Sequence, residues 1–183
     1  MGGIIRRSTS SIEKENYMLR RGVAFVVGHE KWGKSHTLRA LHARYGRGAN
    51  HVFIGKKTEF FVRKSSNDDI TKKRPERMHS YINFMRSLSR PYVIAALCPK
   101  FKKLRNYNLP KKAADDILRR LRVKGYKLFF WVIKYRWGKP SCRISRWEIT
   151  QLRRYGKVKI FKGINVEDRE RAKYFRAFVL SVL

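Results

Sequence analysis

Apolar residues along the chain fall into short unbroken runs, and the segments between those runs carry apolar positions at helical spacing. Val23, Ala24, Phe25, Val26 and Val27 make the first run, which ends at Gly28. Five apolar residues without alternation suit a strand covered on both faces, as in a parallel sheet. Tyr92 to Leu97 and the aromatic-rich Lys127 to Tyr135 repeat the pattern. Shorter strands are expected at His51–Ile54 and Thr58–Val62, around Gly55, and at Val158–Phe161.

Helical spacing appears first at Leu38, Leu41 and Tyr45, which predict a helix over Lys34–Tyr45 closing at Gly46. Pro75 opens a second, with Tyr81, Ile82, Met85 and Leu88 on one face, and Pro91 ends it. Ala114, Ile117, Leu118 and Leu121 mark a third over Lys111–Lys124, stopped by Gly125. Ser145 with Glu148 forms a capping box ahead of a helix through Ile149 and Leu152. Asn165 with Asp168 is expected to start a last helix bearing Ala172, Phe175, Phe178, Val179 and Val182. Strands alternating with helices predict an α/β fold of three layers around a mainly parallel sheet. It is expected to occupy residues 21–183, behind a polar and basic lead-in at residues 1–20.

Composition narrows the function. Among 183 residues, 45 are Lys or Arg and 13 are Asp or Glu, a formal charge of +32. With 43% hydrophobic and 13% aromatic residues, the chain has the means to build a core and is no disordered basic tail. A surface this positive attracts polyanions, and DNA or RNA is the expected partner. No segment approaches the ~20 apolar residues of a membrane span. Neither a secretory signal nor a disulfide framework is indicated, since Cys98 and Cys142 stand alone. An intracellular site is therefore expected, cytoplasmic or associated with a nucleoid or virion.

One motif carries chemistry. Gly28-His29-Glu30-Lys31-Trp32-Gly33-Lys34-Ser35 fits G-x-x-x-x-G-K-[ST] at every defined position. Its glycines let the loop curl with backbone N–H groups toward phosphate oxygens, Lys34 supplies a point charge to the β- and γ-phosphates, and the Ser35 hydroxyl can ligate Mg²⁺. An apolar strand before the loop and a helix after it are the setting this mechanism needs.

From Val23 to Tyr45 the chain thus resembles the P-loop NTPase superfamily. The resemblance implies bound ATP or GTP with Mg²⁺, held by Gly28, Gly33, Lys34 and Ser35. His29, Glu30, Lys31, Trp32 and His36 would give mainly backbone amides; Glu30 should point outward, and Trp32 would stack on a base or cover the loop. Lys34 is expected to be exposed in the empty site. The superfamily usually carries an acid at the end of a second apolar strand, whereas Tyr92–Leu97 here runs into Cys98-Pro99-Lys100. Asp68 and Asp69 are the expected substitutes, with Asp69 joining Ser35 at the metal and both carboxylates serving catalysis beside Lys34. Arg44, Arg47, Arg63 and Lys64 are candidates for a charge-stabilising finger.

Cations concentrate beyond Lys100, in Lys102 and Lys103, then Arg119, Arg120 and Arg122, then Arg143, Arg146, Arg153 and Arg154, with Lys157 and Lys159 alternating along a strand. Tyr135, Trp137, Trp147 and Tyr155 are interleaved and available to stack on bases. The favoured expectation is a nucleic-acid-associated ATPase or GTPase, working as a homo-oligomer or within a larger nucleoprotein complex. Two alternatives are a P-loop kinase acting on a nucleotide or polynucleotide end, and a structural nucleic-acid-binding protein that does not hydrolyse nucleotide.

Overall fold

The computed structural model describes residues 21–42, 50–55, 58–67, 81, 83–101 and 114–182. Along the chain these form β1 (Gly22–Val27), α1 (Lys34–Ala40), β2 (His51–Ile54), β3 (Thr58–Arg63), β4 (Tyr92–Leu97) and α2 (Ala114–Val123). They continue as β5 (Lys127–Ile133), β6 (Tyr135–Arg136), β7 (Lys139–Arg143), α3 (Arg146–Arg153), β8 (Lys157–Phe161) and α4 (Asp168–Leu180). One six-stranded sheet has the order β2-β3-β4-β1-β5-β8. All its neighbours pair in parallel except β2 and β3, which are antiparallel. The α/β, mainly parallel expectation therefore holds, with one antiparallel edge.

β1 is central and wholly buried, which explains its unbroken apolar sequence. Strand alternation then assigns the helices to faces. Trp131 of β5 stacks on Phe161 at 4.7 Å and meets Phe175 of α4 at 5.6 Å, so α4 covers that face. α1 packs beside α4. Phe130, one residue from Trp131, points the other way and stacks on Phe25 at 5.6 Å. On this second side Ile160 shares a groove with Ile149 of α3, and Arg122 of α2 donates to the Arg154 carbonyl at 3.1 Å. Helices thus flank the sheet on both faces. The connection from β1 runs to one side of the sheet and that from β4 crosses β1 to the other. Their adjacent carboxyl ends therefore form the crevice where parallel α/β sheets bind ligands.

Several boundaries differ from expectation. The β5 strand stops at Ile133, because the chain turns back at Gly138 (φ 63°) to form the β6–β7 hairpin. Every residue of β7 is exposed, so no apolar alternation announced it. α4 is capped at Glu167 with no side-chain cap bond, and Asn165 is not its cap. α3 carries the full capping box expected of Ser145 and Glu148. Residues 81 and 83–86 are helical, with Tyr81 and Met85 buried; Pro75, Gly46 and the lead-in at residues 1–20 lie outside the described residues.

Candidate functional site: a loop at the carboxyl end of the central strand

Gly28 to Gly33 leaves β1 and turns into α1. Two residues of the turn have left-handed backbone, Lys31 at φ 61° and Gly33 at φ 81°. At Gly28 a β-carbon would stand 3.3 Å from Trp32 Cβ and 3.4 Å from Lys34 Cγ, so the turn closes on itself where glycine permits it. Lys34 Nζ crosses the turn and donates to the His29 carbonyl at 2.8 Å. Lys34 is buried, not exposed as expected, because its stem packs inside the curl while the ammonium reaches a main-chain oxygen. Trp32 is also buried and meets the His29 ring edge-on at 5.0 Å; it covers the loop and offers no face for a base.

The loop forms one side of a cleft of about 830 Å³ that also receives Ser35, His36 and Arg39. α4 and the β6–β7 turn form the other side, through Asp168, Arg171 and Trp137. Arg171 was not anticipated. It is buried on the α4 stripe that includes Phe175 and Phe178, and its guanidinium atoms stand 2.8 Å from where a Gly33 β-carbon would be. Its Nη1 donates to the Trp32 carbonyl at 3.4 Å, Nη2 pairs with Asp168, and the guanidinium lies 5.5 Å from the centre of the Trp137 ring. A cation on the apolar stripe of an amphipathic helix was the available signal. His36 also exceeds its expected role, with Nδ1 3.1 Å from Asp168 Oδ2. Glu30 is exposed, as its charge requires.

His29 reaches two neighbours outside the loop. Its Nε2 is 3.3 Å from Glu148 Oε1 of α3, and its Nδ1 is 3.9 Å from Cys98 Sγ at the end of β4. Burial works against the Glu148 charge, but donors from His29 and from the Ser145 hydroxyl and backbone hold its carboxyl below the usual range.

Cys98 follows directly on the last residue of β4. Its N–H donates to Asn67 Oδ1 at 2.7 Å, and Asn67 Nδ2 donates to its carbonyl at 3.1 Å, so the segment after β3 is fastened to the end of β4. Asp68 and Asp69 follow directly but lie outside the described residues, as do Arg44 and Arg47. Arg63 stacks over the Phe84 ring at 5.4 Å and does not line the cleft. The Lys64 ammonium is pushed below its ordinary range by burial and by Arg39.

The basic surface divides into separate regions. Lys134, Arg143, Arg146 and Arg153 line a groove of about 670 Å³ between the β6–β7 hairpin and α3, floored by Ile149 and Ile160 and, among the described residues, without a carboxylate in its lining. Arg119, Arg122 and Arg154 border a second, of about 400 Å³, on the opposite flank of α3, with Trp147 and Asp115. Arg119 and Arg120 both contact Asp116, at 3.5 and 3.3 Å. Lys157 and Lys159 alternate with Val158 and Ile160, so they project from the sheet face opposite α3 and do not join either groove. The groups expected from the sequence thus form two grooves flanking α3 plus a separate lysine pair. Lys102 and Lys103 lie outside the described residues. Trp147 and Trp137 are about half exposed.

Comparison of the chain with protein-family models, with curated proteins and with solved structures yields no match.

Proposed function

We propose that this chain is a P-loop nucleotide-binding protein that carries a polynucleotide on the basic grooves beside α3, its nucleotide state modulating that hold. The observation that carries the reading is the loop at the end of β1, in the sheet's ligand crevice, with left-handed Gly33 and the Lys34 ammonium drawn across it. The residues fit a bound Mg²⁺–triphosphate: glycine stands where the loop closes tightly, Lys34 can exchange a carbonyl for phosphate oxygen, and the Ser35 hydroxyl lines the same cleft. ATP or GTP would supply the transferable phosphoryl group. Asp68 or Asp69 would order the metal's water, since Asn67 holds the preceding backbone at the end of β4.

Cys98 favours a second reading. A thiol at the end of β4 gives no carboxylate to the metal, which suits a nucleotide-binding switch without efficient hydrolysis.

Release of phosphate from ATP or GTP with Mg²⁺, measured with and without an oligonucleotide, separates the readings. Release stimulated by the oligonucleotide is the expected result. Transfer of label to a nucleotide or polynucleotide end would identify a kinase instead. Nucleotide binding without release would select the switch, and no nucleotide binding at all would contradict both.

A further inference from the structure

Both walls of the larger basic groove are tied to the nucleotide cleft. The α3 wall carries Arg146 and Arg153 toward the groove, and from the same helix Glu148 reaches His29 in the loop at 3.3 Å. The hairpin wall carries Arg143 toward the groove, and its turn places Trp137 in the cleft, 5.5 Å from the Arg171 guanidinium. Neither tie is remote from the phosphate position. His29 is the residue whose carbonyl accepts from Lys34, and Arg171 abuts Gly33.

We infer that occupancy of the cleft by phosphate and occupancy of the Arg143–Arg146–Arg153 groove by a polynucleotide backbone are coupled through the Glu148–His29 and Trp137–Arg171 contacts. The inference rests on the reading proposed above and names how that site is regulated. When Lys34 turns from the His29 carbonyl to a phosphate, His29 loses one of the bonds that fix it, and Glu148 transmits the change to the N-terminus of α3. Ser145 makes that transmission stiff: its backbone N–H and hydroxyl donate to Glu148 Oε2 at 2.9 and 2.7 Å. Arg146 follows this cap directly and Arg143 precedes it by two residues, so a shift of the cap moves groove cations. Coupling of this kind is reciprocal. The factor by which nucleotide changes oligonucleotide affinity equals the factor by which oligonucleotide changes nucleotide affinity.

The test is fluorescence anisotropy of a labelled single-stranded oligonucleotide on the full chain, with and without a non-hydrolysable ATP or GTP analogue and Mg²⁺. The wild-type chain is expected to change its oligonucleotide Kd by about fivefold or more between the two conditions, a size ordinary for coupled sites. Glu148→Gln keeps the capping box, which accepts either residue, but removes the carboxylate that faces His29. In that variant the factor should fall to about twofold or less, with each ligand's own Kd nearly unchanged. Trp137→Leu, on an exposed turn, should lower the factor independently. Equal oligonucleotide Kd with and without bound analogue would overturn the inference and leave the functional reading standing. A factor that persists in Glu148→Gln would mark a general field effect of the bound phosphates and would also overturn it. Absence of analogue binding would overturn the functional reading, and this inference with it.

Discussion

Gly33 is constrained twice. Its φ of 81° belongs to the left-handed region, and the buried Arg171 guanidinium stands where a side chain would begin. Gly33→Ala should cost about 1–2 kcal/mol of stability in denaturant unfolding, most of it backbone strain, and an unchanged midpoint would contradict the geometry. His42 offers a pH-dependent counterpart. Burial, then Lys64 and His51, lower its pKa from the ordinary 6.5. The unfolded chain takes up this proton near 6.5 and the folded chain only at lower pH. The contribution is therefore complete above about pH 6.5 and lost as pH falls toward the lowered value. His42→Phe should flatten the decline in stability between about pH 7 and about pH 5, as read by urea unfolding at both ends. At this scale the sequence made the place of the loop legible, since its glycines follow an apolar run and precede a helical one, and the structure sets it between β1 and α1. Arg171 was not, because its neighbours in the cleft are 139 residues away in the chain (Trp32) or brought in by the fold.

The strands were readable where burial on both faces left no polar position. β1 and β4 match their apolar runs, and parallel pairing accounts for that match. Elements without a buried face escaped. The β6–β7 hairpin carries no buried residue, yet it places Trp137 in the cleft and Arg143 in the groove. α3 is legible from its cap and from Ile149 and Leu152, and the cap is complete: Glu148 N–H donates to Ser145 Oγ at 3.2 Å while Ser145 N–H donates to Glu148 Oε2. Ser145→Ala should lower stability by about 1 kcal/mol. Thermal unfolding checks this, and a melting temperature equal to wild type would show that the cap does not hold α3.

Charge dominates the whole molecule. At +32 the surface repels itself, and a bound polyanion relieves that repulsion. Sequence order grouped the cations, and the fold and ion pairing sort those groups further. Arg119 and Arg120 spend part of their field on Asp116, and Lys157 and Lys159 sit on the other side of the sheet. Oligonucleotide affinity should fall with salt at a log–log slope of about −4 or steeper. Arg146→Glu with Arg153→Glu should flatten that slope more than Lys157→Glu with Lys159→Glu; equal effects would argue for a diffuse field without a groove.

The central claim is that the loop from Gly28 to Ser35 holds nucleoside triphosphate, and Lys34 is its most exacting test. Calorimetric titration of Mg²⁺–ATP and Mg²⁺–GTP into wild type and Lys34→Ala measures it directly, with circular dichroism to establish that the variant, which loses a buried side chain, still folds. The account predicts binding to wild type and a loss of about tenfold or more in the folded variant, the size of one charge-assisted hydrogen bond of about 1.5–3 kcal/mol. Equal affinity in the two proteins, or no binding to either, would contradict it.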